Sequence, residues 1–116
     1  MVVISRRLLD AIRQVESGGD EDAVGDGGKA IGPYQIWEVY HGDAKAGGKY
    51  EDCKGKGSTA YSEKVVRNYM NRFATKARLG RAPTDEDIAR IHNGGPNGYK
   101  KPSTEKYWEK VKKAMK

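Results

Sequence analysis

The chain has 116 residues, enough for one domain around a modest core. Hydrophobic residues make up 36% and charged residues 33%, and no apolar run is long enough to span a bilayer, so neither a disordered chain nor a membrane-spanning helix fits. The formal net charge of +6 favours anionic partners without choosing among them, and the single cysteine excludes an intramolecular disulfide, so the fold must stand on packing.

The first residues, Met-Val-Val-Ile-Ser-Arg-Arg, lack the apolar stretch of a secretory signal, so the expectation is either a signal already removed or another route of export. Leu8, Leu9, Ile12 and Val15 recur at helical spacing and predict a helix over 5–17 with Ser5 as its N-cap. Gly18-Gly19 stops it, which puts Glu16 in the last turn, at the border of the apolar stripe. The glycine- and aspartate-rich stretch 18–34 reads as loop or short hairpin, with Asp26-Gly27-Gly28 as the turn. Residues 35–45 are weakly helical, and 47–58 form a second glycine-rich loop.

Cys53 lies in that loop between acidic and basic neighbours. Nearby acids raise a thiol pKa, so Cys53 is not a candidate nucleophile. The strongest helix is expected from Thr59 to Arg78, with Val65, Val66, Tyr69, Met70, Phe73, Ala74 and Ala77 as its apolar stripe and Leu79-Gly80 as its close. Thr84 and Asp87 form a capping-box pattern that opens a short helix through Ile91. The stretch from His92 to Gly98 reads as a tight loop, and Pro102-Ser103 opens a last helix carrying Tyr107, Trp108, Val111, Ala114 and Met115. Lys106, Lys110, Lys112, Lys113 and Lys116 are its solvated face. The expected fold class is therefore α+β, mainly helical, as one domain over 1–116.

Glycoside hydrolysis needs a proton delivered to the leaving oxygen. A carboxylic acid beside apolar groups can stay protonated to deliver it, and the negative end of a helix dipole works in the same direction. Glu16 has that setting. A second carboxylate commonly serves as nucleophile or as base for water, and Asp20, Glu21, Asp22 and Asp26 all lie within reach in the glycine-rich stretch. Asp26 is preferred, because a hairpin tip can hold a carboxylate across a groove from a helix end. The others suit turns held by side-chain to backbone hydrogen bonds.

Three stretches occur in order: Glu16-Ser17-Gly18-Gly19, Gly32-Pro33-Tyr34-Gln35-Ile36, and His92-Asn93-Gly94-Gly95-Pro96-Asn97-Gly98. Together they resemble the invertebrate-type, or destabilase, lysozymes. Asn68 to Phe73 is similar to that family's Tyr-Met-x-Arg-Tyr helix, and Tyr107-Trp108 to its final Tyr-Trp pair. The resemblance spans about Ile12 to Val111. It implies a lysozyme-like fold with an active-site cleft and cleavage of bacterial peptidoglycan between N-acetylmuramic acid and N-acetylglucosamine. It also implies Glu16 as general acid and, across a stretch of different length, Asp26 as second carboxylate. Animal members are rich in cysteine; one Cys points to a bacterial, phage or divergent member.

Ser17, Tyr34, Gln35, His92, Asn93, Gly94 and Tyr99 are expected to bind substrate, with Gln35 holding either substrate or loop backbone and Trp37 offering a stacking face. No spacing suits a metal, no phosphate loop follows a strand, and no cofactor is expected. The expected partner is peptidoglycan, with no nucleic acid and no membrane insertion, for a monomer delivered to the wall. Three other readings remain. The same stretches resemble lytic transglycosylases, which use one Glu and close the muramic 6-hydroxyl onto C1; His92 in place of their Tyr favours the lysozyme. A basic wall-binding module without activity is the second. An isopeptidase is the third, and would need Ser17 or Ser58 paired with His92 or His41.

Overall fold

The computed structural model describes residues 1–116. Helix α1 spans Arg6–Ser17. Ser5 caps it by accepting from the Leu8 N–H at 3.0 Å, and Gly18 closes it in the left-handed conformation, φ 66°, donating to the Gln14 carbonyl. Leu8, Leu9, Ala11 and Ile12 face inward and are buried. Strands β1 (Val24–Gly25) and β2 (Ala30–Ile31) then pair antiparallel, with Val24 opposite Ile31 and Gly25 opposite Ala30. Their connection is a single 3₁₀ turn over Asp26–Gly28, where Asp-Gly-Gly predicted it.

Helix α2 is Glu38–Ala44, and a 3₁₀ turn follows at Tyr50–Cys53. Cys53 is buried within the core, not exposed on a polar loop. The hairpin sits directly on this segment. A Cβ at Gly32 would stand 1.7 Å from the Cys53 carbonyl oxygen, and Gly32 has φ 77°, so no side chain fits there.

The long helix expected from Thr59 to Arg78 is two helices. Helix α3 runs Ser58–Phe73 and α4 runs Lys76–Leu79. Ala74 leaves helical geometry at ψ 38°, and Thr75 turns extended and restarts the chain as an N-cap, accepting from the Arg78 N–H at 3.2 Å. The cap overrides the apolar periodicity. Helix α5 is Asp85–Gly94, opened by reciprocal bonds between Thr84 and Asp87 of 2.9 and 3.1 Å. It runs three residues beyond Ile91, so His92 and Asn93 belong to its last turn and not to a loop. Helix α6 is Glu105–Ala114, entered through a 3₁₀ turn at Pro102–Thr104.

Helix α1 packs on α6 and α5, α2 on α3, and α5 on α3 and α6. One core of 20 buried residues draws on every helix except α4, with Leu8, Leu9, Ile12, Val65, Val66, Met70, Ile88, Ile91 and Val111 at its centre. The terminal lysines of α6 are exposed. No helix is long and apolar enough to cross a membrane. The architecture is mainly helical with one small hairpin, and the open end of α1, the hairpin, α2 and the end of α5 converge on a single cleft.

Candidate active site

The cleft has a volume of about 270 Å³. Glu16 and Asp26 both line it, with Gln35, Trp37, Tyr40, Tyr69, His92 and Asn93. The sequence-predicted acid and its partner therefore face one space, the first from a helix end and the second from a hairpin turn.

Glu16 emerges from the last turn of α1, and its side chain is 17% exposed. Its Oε2 accepts a hydrogen bond from the Tyr107 hydroxyl at 3.0 Å, and the His92 Nε2 stands 3.2 Å from the same oxygen. No protein donor reaches Oε1. The Tyr107 hydroxyl is pushed well above its usual pKa, by burial first and then by the Glu16 carboxylate, so it remains a donor.

His92 is held on both ring nitrogens. Nε2 is 3.0 Å from the Tyr34 carbonyl and Nδ1 is 2.8 Å from the Tyr40 hydroxyl. A carbonyl can only accept, so the neutral ring carries its hydrogen on Nε2, and Nδ1 accepts from Tyr40. Burial, then Tyr69 and Glu16, raise the Tyr40 hydroxyl well above its ordinary range, which keeps it protonated for that role. Tyr40 in turn stacks on Tyr69 with ring centroids 3.7 Å apart. The histidine side chain is 2% exposed and stands against Glu16 at the wall of the cleft.

Asp26 stands exposed at the hairpin tip with φ 51°. Three non-glycine residues adopt positive φ, and two of them, Asp26 and Gln35, line the cleft. Left-handed backbone at non-glycine residues costs energy and persists where surrounding structure enforces it, often at functional sites. Here the enforcement is visible. The Gln35 amide donates to the carbonyls of Gly32 at 3.0 Å and Ala23 at 3.3 Å, so of the two expected roles it fills the backbone one. Tyr50 reaches the Ile36 and Lys29 carbonyls at 2.8 and 3.1 Å from the other side.

Asp20 and Glu21, two of the remaining acids of this stretch, hold backbone. Asp20 accepts from the Asp22 N–H at 2.8 Å. Glu21 caps the start of α3, accepting from the Gly57 and Thr59 N–H groups and the Thr59 hydroxyl; that hydroxyl foremost, and the two N–H groups, hold its carboxyl below the usual range.

Four of the residues expected to bind substrate are placed elsewhere. Tyr34 is fully buried; its hydroxyl donates to Glu63 at 2.8 Å, which removes the side chain from any ligand. The Ser17 hydroxyl donates to the Pro33 carbonyl at 2.8 Å and ties α1 to the loop before Tyr34. Gly94 packs against Thr104, where an added Cβ would come within 2.6 Å of the threonine methyl. Tyr99 packs on the core from the turn Gly98–Lys100. Asn93 and Trp37, the latter 41% exposed, do face the cleft.

No Ser–His pair forms: the Ser58 hydroxyl has no hydrogen-bond partner, and His41 is bonded to the Tyr61 hydroxyl. No group of three or more His, Cys, Asp or Glu could hold a metal ion. Burial first, and then Asp52, push the Cys53 thiol up to about 12, so it is not a nucleophile. Sequence reading missed Tyr107, Tyr40 and Tyr69 as parts of the site. The available signal was that Tyr107, four residues before Val111, puts a polar tip on an otherwise apolar stripe.

A profile of the Destabilase family matches residues 5–114. The chain is 36% identical over 114 residues to a lysozyme of Meretrix lusoria, covering 96% of this chain and 90% of that one. It is 35% identical over 116 residues to an invertebrate-type lysozyme of Ruditapes philippinarum, covering 96% and 82%. The crystal structure of Meretrix lusoria lysozyme in complex with Aeromonas hydrophila PliI superposes with a TM-score of 0.83 at 36% identity, over 97% of this chain and 92% of that one. Tapes japonica lysozyme gives a TM-score of 0.80 at 36% identity and the same coverage.

Proposed function

This chain belongs to the destabilase family, and from that premise we propose that it is a muramidase that hydrolyses the β-1,4 bond between N-acetylmuramic acid and N-acetylglucosamine in bacterial peptidoglycan. Its relatives support a lysozyme-type glycosidase as the class of activity. The observation that carries the finer reading is that Glu16 and Asp26 line one cleft from opposite elements.

In the proposed reaction a glycan strand lies across the cleft with its scissile oxygen at Glu16. The protonated carboxyl gives its proton to that oxygen as the C1–O bond breaks. Asp26, across the cleft, counters the positive charge developing at C1 and serves either as nucleophile or as base for water. Trp37 offers an apolar face to a sugar ring, and Asn93 a polar one. The enzyme works as a single 1–116 domain and a monomer, at the bacterial wall, outside the cell that makes it.

Mass spectrometry of digested peptidoglycan tests this directly. Reducing muramic acid ends are expected; 1,6-anhydro ends would show that the muramic 6-hydroxyl, and not water, is the acceptor. Asp26→Asn keeps a residue that tolerates left-handed backbone, so the turn should survive while turnover falls by roughly 10²-fold or more if the second carboxylate is required.

A further inference from the structure

Glu16 does not reach into the cleft as a free carboxyl. Its two oxygens differ. Oε2 accepts from the Tyr107 hydroxyl of α6 at 3.0 Å, with the His92 ring of α5 standing 3.2 Å from it, while Oε1 has no protein partner. Tyr107 and His92 are 91 and 76 positions from Glu16 in sequence, so three helix ends meet at one carboxyl group. The His92 ring is locked by the Tyr34 carbonyl on Nε2 and by Tyr40 on Nδ1. Tyr40 is itself fixed by its stack on Tyr69. Tyr34 is anchored at its far end by Glu63, which also receives two bonds from Arg6 of 2.6 and 2.7 Å.

We infer that Tyr107 is a positioning residue that holds Oε2 of Glu16 as a permanent acceptor, so that the transferable proton resides on Oε1, the oxygen left to the substrate. In the carboxylic acid, the carbonyl oxygen is the one that accepts hydrogen bonds and the hydroxyl oxygen is the one that donates. The Tyr107 donor at Oε2 therefore assigns the hydroxyl to Oε1. When the proton moves from Oε1 to the glycosidic oxygen, the electron pair of the C1–O bond goes to that oxygen and Glu16 is left as a carboxylate. The same donor then faces a full negative charge, to which it bonds more strongly than to the acid. It thus stabilises the transition state more than the ground state, the condition for raising turnover rather than affinity. The groups that face this carboxyl are Tyr107 from α6, His92 from α5 with Tyr40 of α2 behind it, and Asp26 from across the cleft. The inference rests on Glu16 being the general acid.

Tyr107→Phe removes one donor and keeps the ring. The expected result is a kcat lower by about tenfold to a hundredfold, the scale of one hydrogen bond to a charged group, with KM changed by less than about twofold. The alkaline limb of the kcat/KM profile should also move to higher pH, because a donor favouring the charged form is gone. A purely structural role would lower the melting temperature and leave both the kcat at permissive temperature and the limb in place; either an unchanged kcat or an unmoved limb overturns the inference. Glu16→Gln measured in parallel separates the two claims. If Glu16→Gln keeps its activity, the general-acid assignment is wrong; if Glu16→Gln is inactive while Tyr107→Phe behaves as wild type, only the positioning role fails.

Discussion

Glu63 is a largely buried acid outside the cleft. Its side chain is 12% exposed, and its carboxylate accepts from both Nη atoms of Arg6, at 2.6 and 2.7 Å, and from the Tyr34 hydroxyl at 2.8 Å. The Arg6 guanidinium, with Tyr34 adding to it against the cost of burial, holds this carboxyl below the usual range. Glu63→Gln replaces one acceptor oxygen with an NH₂ group that meets a donor. The damage is bounded, because Arg6 is 58% exposed and already bonded to Asp10 at 3.1 Å, and Tyr34 retains the Leu9 carbonyl at 3.2 Å. Losing the charge-assisted bonds should therefore cost about 2 kcal/mol, below the range for stranding a fully buried charge, and lower the melting temperature by roughly 10 °C.

The pH dependence has a definite sign. With the folded pKa depressed below the unfolded value of about 4.3, the carboxylate stabilises the fold fully above that value and loses its contribution as the pH falls through the folded pKa. Urea unfolding of wild type and Glu63→Gln should show the full gap near neutral pH and a gap that closes in acid, where Glu63 is protonated and resembles the amide. A gap of the same size at both pH values, or none at neutral pH, would refute the assignment of this carboxylate as the charged anchor of Tyr34.

Two further outcomes follow from the geometry. Asp26→Gly relieves left-handed backbone and should stabilise the fold by about 0.5–1 kcal/mol while activity is lost, which paired melting and turnover measurements would reveal; a destabilised variant would mean that the side chain holds the turn. Cys53 is fully buried with its thiol pushed up to about 12, so iodoacetamide should label it only in urea. Labelling of the native protein at a rate near that of a free thiol would contradict its placement.

What the sequence made legible was local. Ser5, Gly18 and the spacing of Leu8, Leu9 and Ile12 define α1, and with it the position of Glu16, because caps and apolar period act within a few residues. The Asp26 turn and the Thr84–Asp87 box were readable for the same reason. The split between α3 and α4 was also signalled, by Thr75 three residues before Arg78, but the stripe through Ala74 and Ala77 masked it. Long-range pairing was not legible. Nothing near Tyr107 points to Glu16, and nothing near Tyr34 points to Glu63; both bonds exist only because the core brings α1, α3 and α6 together. That is why Tyr34, a tyrosine in a glycine-rich stretch, reads as a sugar-binding ring and is instead a buried strut whose carbonyl aims His92.

The central claim is that Glu16 delivers the proton. Glu16→Gln is nearly isosteric and leaves the neighbouring Tyr107 hydroxyl an oxygen to bond, so folding should be preserved. Steady-state turnover on peptidoglycan, measured on folded protein, should fall by about 10²–10⁴-fold. A variant that retains more than about a tenth of wild-type turnover would contradict the account, since removing a general acid cannot cost so little.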